Sequence, residues 1–232
     1  MQTMEQKLRA VLFDLDGVVF DTEPQYSVFW GSVCREFRPD IPGLENIIKG
    51  QTLVQIFDGY FHGMTAEQDE IVRRLDAYEQ QMKYEYVPGF LELMQALRVN
   101  NVKTAVVTSS NIPKMEAVYQ AHPEFKALFD AVLTAEDFDE SKPSPDCFLK
   151  AAARLGVSPE GCIVCEDSFN GLKAGRAAQM AVLGLATTNT ADSISPLCDQ
   201  VVSDFTLVGF DECCNLLASV SQVNPKNSES KV

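Results

Sequence analysis

Four short apolar runs set the frame for this chain: AVLFD at 10–14, VKTAVVTSS at 102–110, CIVCEDS at 162–168 and AVLGLATT at 181–188. Each reads as a short β-strand that ends in polar residues, and three are followed by an amphipathic stretch. This alternation predicts an α/β fold built on a parallel sheet flanked by helices. One connection breaks the rhythm. Between the first strand and a helix beginning near Phe90 lie residues 24–86, where a strand-to-helix loop needs only a few residues. A segment of that size must fold as a unit of its own.

The insert reads as all-helical. Leu53, Ile56, Phe57, Tyr60 and Phe61 recur at i, i+3, i+4, i+7 and i+8; Ile71, Leu75, Tyr78 and Met82 make a second stripe, and Phe29, Val33 and Phe37 a third. Such stripes are core positions. DTEP at 21–24 and YVPG at 86–89 bound the insert, with Pro at each junction. The expected organisation is therefore a core from residues 1–23 and 87–221, a helical cap from 24–86, and a disordered polar tail, QVNPKNSESKV, at 222–232.

Charge and cysteine usage narrow the function classes. The 232 residues carry a formal charge of −14 without a basic block, which argues against nucleic acid and anionic membrane surfaces as partners. MQTMEQKLRA has no apolar signal core, and no later run approaches the ~18 apolar residues of a spanning helix. A cytoplasmic protein is expected, with a monomer as the default. Seven cysteines then read as reduced thiols. Cys162 and Cys165 form a CxxC within a strand, where i and i+3 face opposite sides and cannot share a metal; Cys213 and Cys214 also read as packing residues. His62 and His122 stand alone and give no metal site.

The polar clusters fall at strand ends: Asp14 and Asp16 after the first strand, Thr108, Ser109 and Ser110 after the second run, Glu166, Asp167 and Ser168 after the third. In an open parallel sheet ligands bind along that edge, so these residues should converge beneath the cap, together with Lys142 from the SKPSPD loop at 141–146. Asp14 and Asp16 at i and i+2 point one way, and Gly17 permits a sharp turn beyond them. Four carboxylates together call for a cation, and an oxygen-only ligand set indicates Mg²⁺, which also takes phosphate oxygens. One aspartate can then serve as nucleophile and the other as proton donor and acceptor. Hydroxyls of Thr and Ser can hydrogen-bond a phosphoryl oxygen, and Lys142 supplies a point charge. Plainer readings exist: Thr108 and Ser110 as helix caps, Asp167 as an N-cap compatible with ligation, Asp21 and Glu23 as linker turn residues, Lys49 as a solvated lysine.

DLDGVVFDTE, TSS, KPSPD and EDSFNG, in that order, resemble the four motifs of the haloacid dehalogenase superfamily, in its subgroup of β-phosphoglucomutase-like phosphatases with a helical cap after the first motif. The resemblance covers residues 8–205. It implies a Rossmann-like core with an inserted all-helical cap domain, and a nucleophilic Asp14 that forms an aspartyl-phosphate. Asp16 would protonate the leaving oxygen and then activate the incoming nucleophile. Mg²⁺ would rest on the Asp14 carboxylate, the Asp16 main-chain carbonyl and Asp167, with Glu166 alongside. Thr108 and the Ser109 amide would hold the phosphoryl group, and Lys142 would bridge it to Asp14. Glu23, Tyr26 and Lys49 are the candidates for substrate contact from the cap side.

An EF-hand loop does not fit, since Gly17 is fourth and Gln25 twelfth from Asp14. The P-loop pattern is absent, and a receiver domain would not carry the insert. Three functions stay open: a phosphatase of small phosphorylated metabolites, with sugar phosphates leading; a sugar phosphate mutase; and a catalytically silent metal-binding or interaction protein. β-Phosphoglucomutases carry a His four residues after the Thr of the first motif and an Arg three after the Gly of the cap's KG. This chain has Tyr26 and Leu53 there, which favours the phosphatase.

Overall fold

The structure is a computed structural model and describes residues 7–223. Its sheet has six parallel strands in the order β3-β2-β1-β4-β5-β6: β1 (Ala10–Phe13), β2 (Lys103–Val107), β3 (Ala131–Leu133), β4 (Cys162–Glu166), β5 (Ala181–Leu185) and β6 (Gln200–Val202). The four runs read from the sequence are β1, β2, β4 and β5. Their residues are buried on both faces apart from Lys103, as a sheet covered by helices on each side requires.

Four helices fall between β1 and the rest of the core: α1 (Glu23–Phe37), α2 (Leu44–Ile47), α3 (Leu53–Tyr60) and α4 (Thr65–Glu79). The remaining helices are α5 (Phe90–Val99), α6 (Ile112–Ala121), α7 (Phe125–Leu128), α8 (Asp146–Leu155), α9 (Phe169–Ala177), α10 (Ala191–Ile194) and α11 (Phe210–Val223). Helix α11 takes in the first two residues of the stretch read as a tail; residues 224–232 of it lie outside the described residues.

Strand alternation sorts the core into two layers. Val11, Phe13, Val106, Ile163 and Cys165 pack with α5, α6 and α11 through Phe90, Leu93, Val118 and Leu216. Ala10, Leu12, Ala105, Val107, Cys162 and Val164 pack on the other face with Phe148 and Ala151 of α8 and Ala174 of α9. Cys162 and Cys165 thus sit in opposite layers, and all seven cysteines are free thiols.

The insert has its own core, in which Phe29, Trp30, Val33, Leu44, Ile56, Phe61 and Ile71 are buried together. Met82 departs from its expected stripe: α4 stops at Glu79, and Met82 packs in the sheet's core with Tyr84 and Val87. Chain entry and exit are tied to each other. Phe20 and Tyr86 form an antiparallel bridge, Asp21 N donates to Glu85 O at 2.9 Å, and Val87 N donates to Val19 O at 3.0 Å. Among the described residues no helix is long and apolar enough to cross a membrane.

Candidate active site

Strand order brings the three polar clusters together. β1 lies between β2 and β4, and the chain leaves it toward opposite edges of the sheet, which opens a crevice at the strands' carboxyl ends. Asp14 directly follows β1, Thr108 follows β2, and Glu166 closes β4 ahead of Asp167. Gly17, with φ of +73°, turns the chain so close to this crevice that a Cβ there would collide with the Asp167 carboxylate.

One lysine joins the acidic groups. Lys142 Nζ donates to Asp14 Oδ1 at 2.6 Å, to Glu166 Oε1 at 2.7 Å and to the Val107 carbonyl at 3.0 Å. The other oxygen of Glu166 accepts from the Asp167 and Ser168 amides and the Ser168 hydroxyl, each at 3.0 Å. Asp167 is held by the Thr188 hydroxyl. Carboxylate oxygens of Asp14, Glu166 and Asp167 lie within 4.8 Å of one another.

This crowding shows in the acidities. Burial pushes the Asp14 carboxyl up to about 7, with Glu166 and Asp16 adding to it and Lys142 opposing. Burial, then Glu166, Asp14 and Glu23, drive Asp167 well above the usual carboxylate range. For Lys142 burial works against the charge, yet Asp14 and Glu166 hold it above the ordinary lysine value. The cluster has oxygen donors only, and its negative charge exceeds what Lys142 balances. That donor chemistry suits a hard divalent cation.

Asp16 has a different shell. Its Oδ1 accepts from the Thr22 hydroxyl at 2.6 Å; its Oδ2 accepts from the Ser110 hydroxyl at 3.2 Å and pairs with the Lys114 ammonium. Lys114 lies 4.7 Å from the centre of the Tyr26 ring, and the Tyr26 hydroxyl donates to Glu79 Oε1 at 2.7 Å. Above these groups the insert closes a cavity of about 480 Å³. The insert is seated on the core: one amide, Gln55, accepts from Thr52 N at 2.9 Å to cap α3 and donates to the Lys142 carbonyl at 3.1 Å.

Asp14, Asp16, Thr108, Ser109, Lys142, Glu166 and Asp167 all line this cavity, as do Glu23, Tyr26 and Lys49. Several plainer readings give way. The cap of α6 is Asn111, whose side chain accepts from Lys114 N, so Thr108 and Ser110 are not caps; Thr108 Oγ1 instead accepts from the Ser110 amide at 3.0 Å. Ser168, not Asp167, caps α9. Glu23 opens α1 and faces the cavity, where burial and then the Asp16 charge raise its carboxyl to about 7. Sequence reasoning missed Lys114, Thr22, Gln55 and Thr188. For Lys114 there was a signal: a lysine in the first turn of a helix opposes the helix dipole, and something else must hold it there.

A parallel sheet with a helical insert after its first strand, and carboxylates gathered at the ends of β1 and β4, defines the class of protein. The chain belongs to the haloacid dehalogenase-like hydrolases, whose family pattern matches residues 8–179. It is similar to the beta-phosphoglucomutase of Bacillus subtilis, with 32% identity over 77% of this chain and 83% of that one. The fructose-1-phosphate phosphatase YqaB of Escherichia coli is 30% identical over 76% of this chain and 96% of its own. Some relatives are far longer, and the chain spans 18% of one protein of Arabidopsis thaliana. Among solved structures, a HAD hydrolase of family IA, variant 3, from Entamoeba histolytica matches the fold with a TM-score of 0.79 and 22% identity, covering 90% of this chain and 99% of that one.

Proposed function

We propose that this chain is a Mg²⁺-dependent phosphatase of small phosphorylated metabolites, with sugar phosphates the leading class. One observation carries the reading: two aspartates two residues apart enter the same cavity with different partners, Asp14 beside Lys142 and the acidic pair, Asp16 among Thr22, Ser110 and Lys114. Unlike environments are what separate a nucleophile from an acid–base group.

In the first half-reaction an Asp14 oxygen attacks phosphorus, the ester P–O bond breaks, and the departing oxygen takes a proton from Asp16. In the second, Asp16 takes a proton from water, the resulting hydroxide attacks the aspartyl-phosphate, and phosphate leaves with Asp14 regenerated. Lys142, in contact with Asp14, favours the anionic nucleophile and faces the phosphoryl oxygens that arrive there. The Thr108 hydroxyl hydrogen, not used in its bond with the Ser110 amide, and the Ser109 amide hold those oxygens. Mg²⁺ would be held by Asp14, Asp167 and the Asp16 main-chain carbonyl with Glu166 alongside, and would offset the charge of carboxylates and phosphoryl group together.

We take residues 24–86 as the part that reads the substrate and 1–23 with 87–221 as the catalytic core. A cavity of about 480 Å³ suits a sugar-sized ester. Two of its three lysines, Lys114 and Lys142, are already paired with carboxylates, which favours a substrate with one phosphate and a neutral body over a polyphosphate. The mutase reading draws on the likeness to a beta-phosphoglucomutase; against it, Leu53 lines the cavity where mutases carry Arg, and the Tyr26 hydroxyl is committed to Glu79.

The test is phosphate release, with and without Mg²⁺, across sugar phosphates, pyrophosphate and nucleotides, with Asp14→Asn as the blank. Mg²⁺-dependent release that the variant lacks is the expected result. Conversion of β-glucose 1-phosphate to glucose 6-phosphate with little free phosphate would establish the mutase instead, and no turnover of any ester would refute both.

A further inference from the structure

We propose that Lys114 is a positioning residue for the Asp16 carboxylate, and that its hold depends on the seated cap. The inference rests on the phosphatase reading above.

Lysine is rarely buried unless paired, yet Lys114 is only 3% exposed. It is also the third residue of α6, in the turn where the helix dipole and free amides disfavour a cation. Neither the helix nor burial keeps it there; two contacts do, with attraction from the nearby Glu79 and Glu23 carboxylates beside them. From the core, Asp16 Oδ2 pairs with its ammonium. From the insert, the face of the Tyr26 ring lies 4.7 Å away, a cation–π contact. Tyr26 belongs to α1, and its hydroxyl is anchored on Glu79 at the end of α4. Two insert helices therefore meet a core lysine, and that lysine touches the acid–base group.

Without Lys114 the Asp16 carboxylate would keep two neutral hydroxyl donors, Thr22 at 2.6 Å and Ser110 at 3.2 Å. A charge-assisted partner is roughly twice as strong as a neutral one, so the lysine fixes the orientation from which Asp16 meets the leaving oxygen. An insert lifted off the core would take the Tyr26 ring away and loosen that hold.

The experiment separates this role from a general structural one through the leaving group. An alkyl ester needs a proton as its oxygen departs; p-nitrophenyl phosphate releases a stable anion and does not. Since kcat/KM covers only the steps through the first departure, Lys114→Met should lower it roughly 10- to 100-fold for the best alkyl ester of the panel, the scale of general acid catalysis. For p-nitrophenyl phosphate the change should stay within about threefold, because phosphate binding and attack are left in place. Tyr26→Leu should show the same pattern more weakly. In an Asp16→Asn background Lys114→Met should add nothing. If circular dichroism shows the Met variant unfolded, Lys114→Gln is measured with the same expectations. Equal losses on both esters, no loss on either, or an additive loss in the Asp16→Asn background would each overturn the proposal. Failure of the unmodified chain to release phosphate from either ester would overturn the phosphatase reading itself, and this inference with it.

Discussion

Gly171→Ala sets helix propensity against site geometry. Gly171 lies in the first turn of α9, where alanine would by propensity stabilise by up to about 1 kcal/mol. A Cβ at that position would fall on the Glu166 carboxylate, touching its carbon and both oxygens. Glu166 is wholly buried and cannot swing toward water without leaving its partners, which are Lys142 on one oxygen and two amides and a hydroxyl on the other. Giving up two of these charge-assisted bonds costs about 3–6 kcal/mol at about 1.5–3 each. Set against the propensity gain, the net destabilisation is about 2–5 kcal/mol. At about 2–4 °C per kcal/mol for a chain of this size, the unfolding midpoint should fall by roughly 4–20 °C. Thermal unfolding followed by circular dichroism measures it, with Gly59→Ala as control, because a Cβ at Gly59 meets nothing within 4 Å. An unchanged or raised midpoint in Gly171→Ala would show that the Glu166 side chain is not fixed by these bonds, and the reasoning would fail.

Three further predictions concern charge, seating and thiols. The folded-state value of Asp14, about 7 against an ordinary 3.8, means that the folded chain keeps a proton the unfolded chain has lost; this contribution is full below pH 3.8 and vanishes as pH rises to about 7. In EDTA the midpoint of Asp14→Asn should therefore decline less with pH across that window than that of the unmodified chain, and parallel curves would contradict the shift. Gly50 sits at φ +71° with a prospective Cβ only 2.6 Å from the Ser168 Cβ, so Gly50→Ala should unseat the insert and lower kcat/KM for a sugar phosphate severalfold; full activity would show that this contact does not matter to turnover. Six cysteines are buried and Cys214 is half-buried, so a thiol reagent should find one fast thiol in the native chain and seven after denaturation, and more than one fast thiol would refute the burial.

How legible the molecule was from its sequence depended on element length and on how far apart partners lie. β1, β2, β4 and β5 announce themselves because each is four or five residues long and carries an unbroken run of at least three apolar residues. The sheet's two edges, β3 and β6, are three residues each, half-exposed in part, and too short for any periodicity to show. Asp14, Lys142 and Asp167 could be placed because each sits at a strand end or on a loop beside one, where topology alone brings residues together. The Lys114, Tyr26 and Glu79 group was not legible. It joins three helices, with Tyr26 lying 53 residues from Glu79 and Lys114 lying 98 from its partner Asp16, and the one local signal, a lysine in a helix's first turn, does not say which strand end it will reach. The second stripe ran too far for a similar reason: Met82 keeps the spacing of Ile71, Leu75 and Tyr78, but the chain has already turned back toward the sheet.

The tied necks of the insert carry a consequence for how such chains diversify. Phe20 and Tyr86 are bridged, with backbone hydrogen bonds on either side, so the sheet meets the insert as a closed loop whose two ends are already joined. The entropic cost of closing a loop grows only with the logarithm of its length, and here core hydrogen bonds fix the closure whatever lies beyond it. Residues past the bridge can lengthen, shorten or be exchanged for another fold with little penalty to the sheet. Selection acting on substrate range is thereby uncoupled from selection acting on stability, and grafting a foreign insert between Phe20 and Tyr86 should leave the sheet folded while changing what the pocket admits and removing the Thr22 and Tyr26 contacts to Asp16 and Lys114.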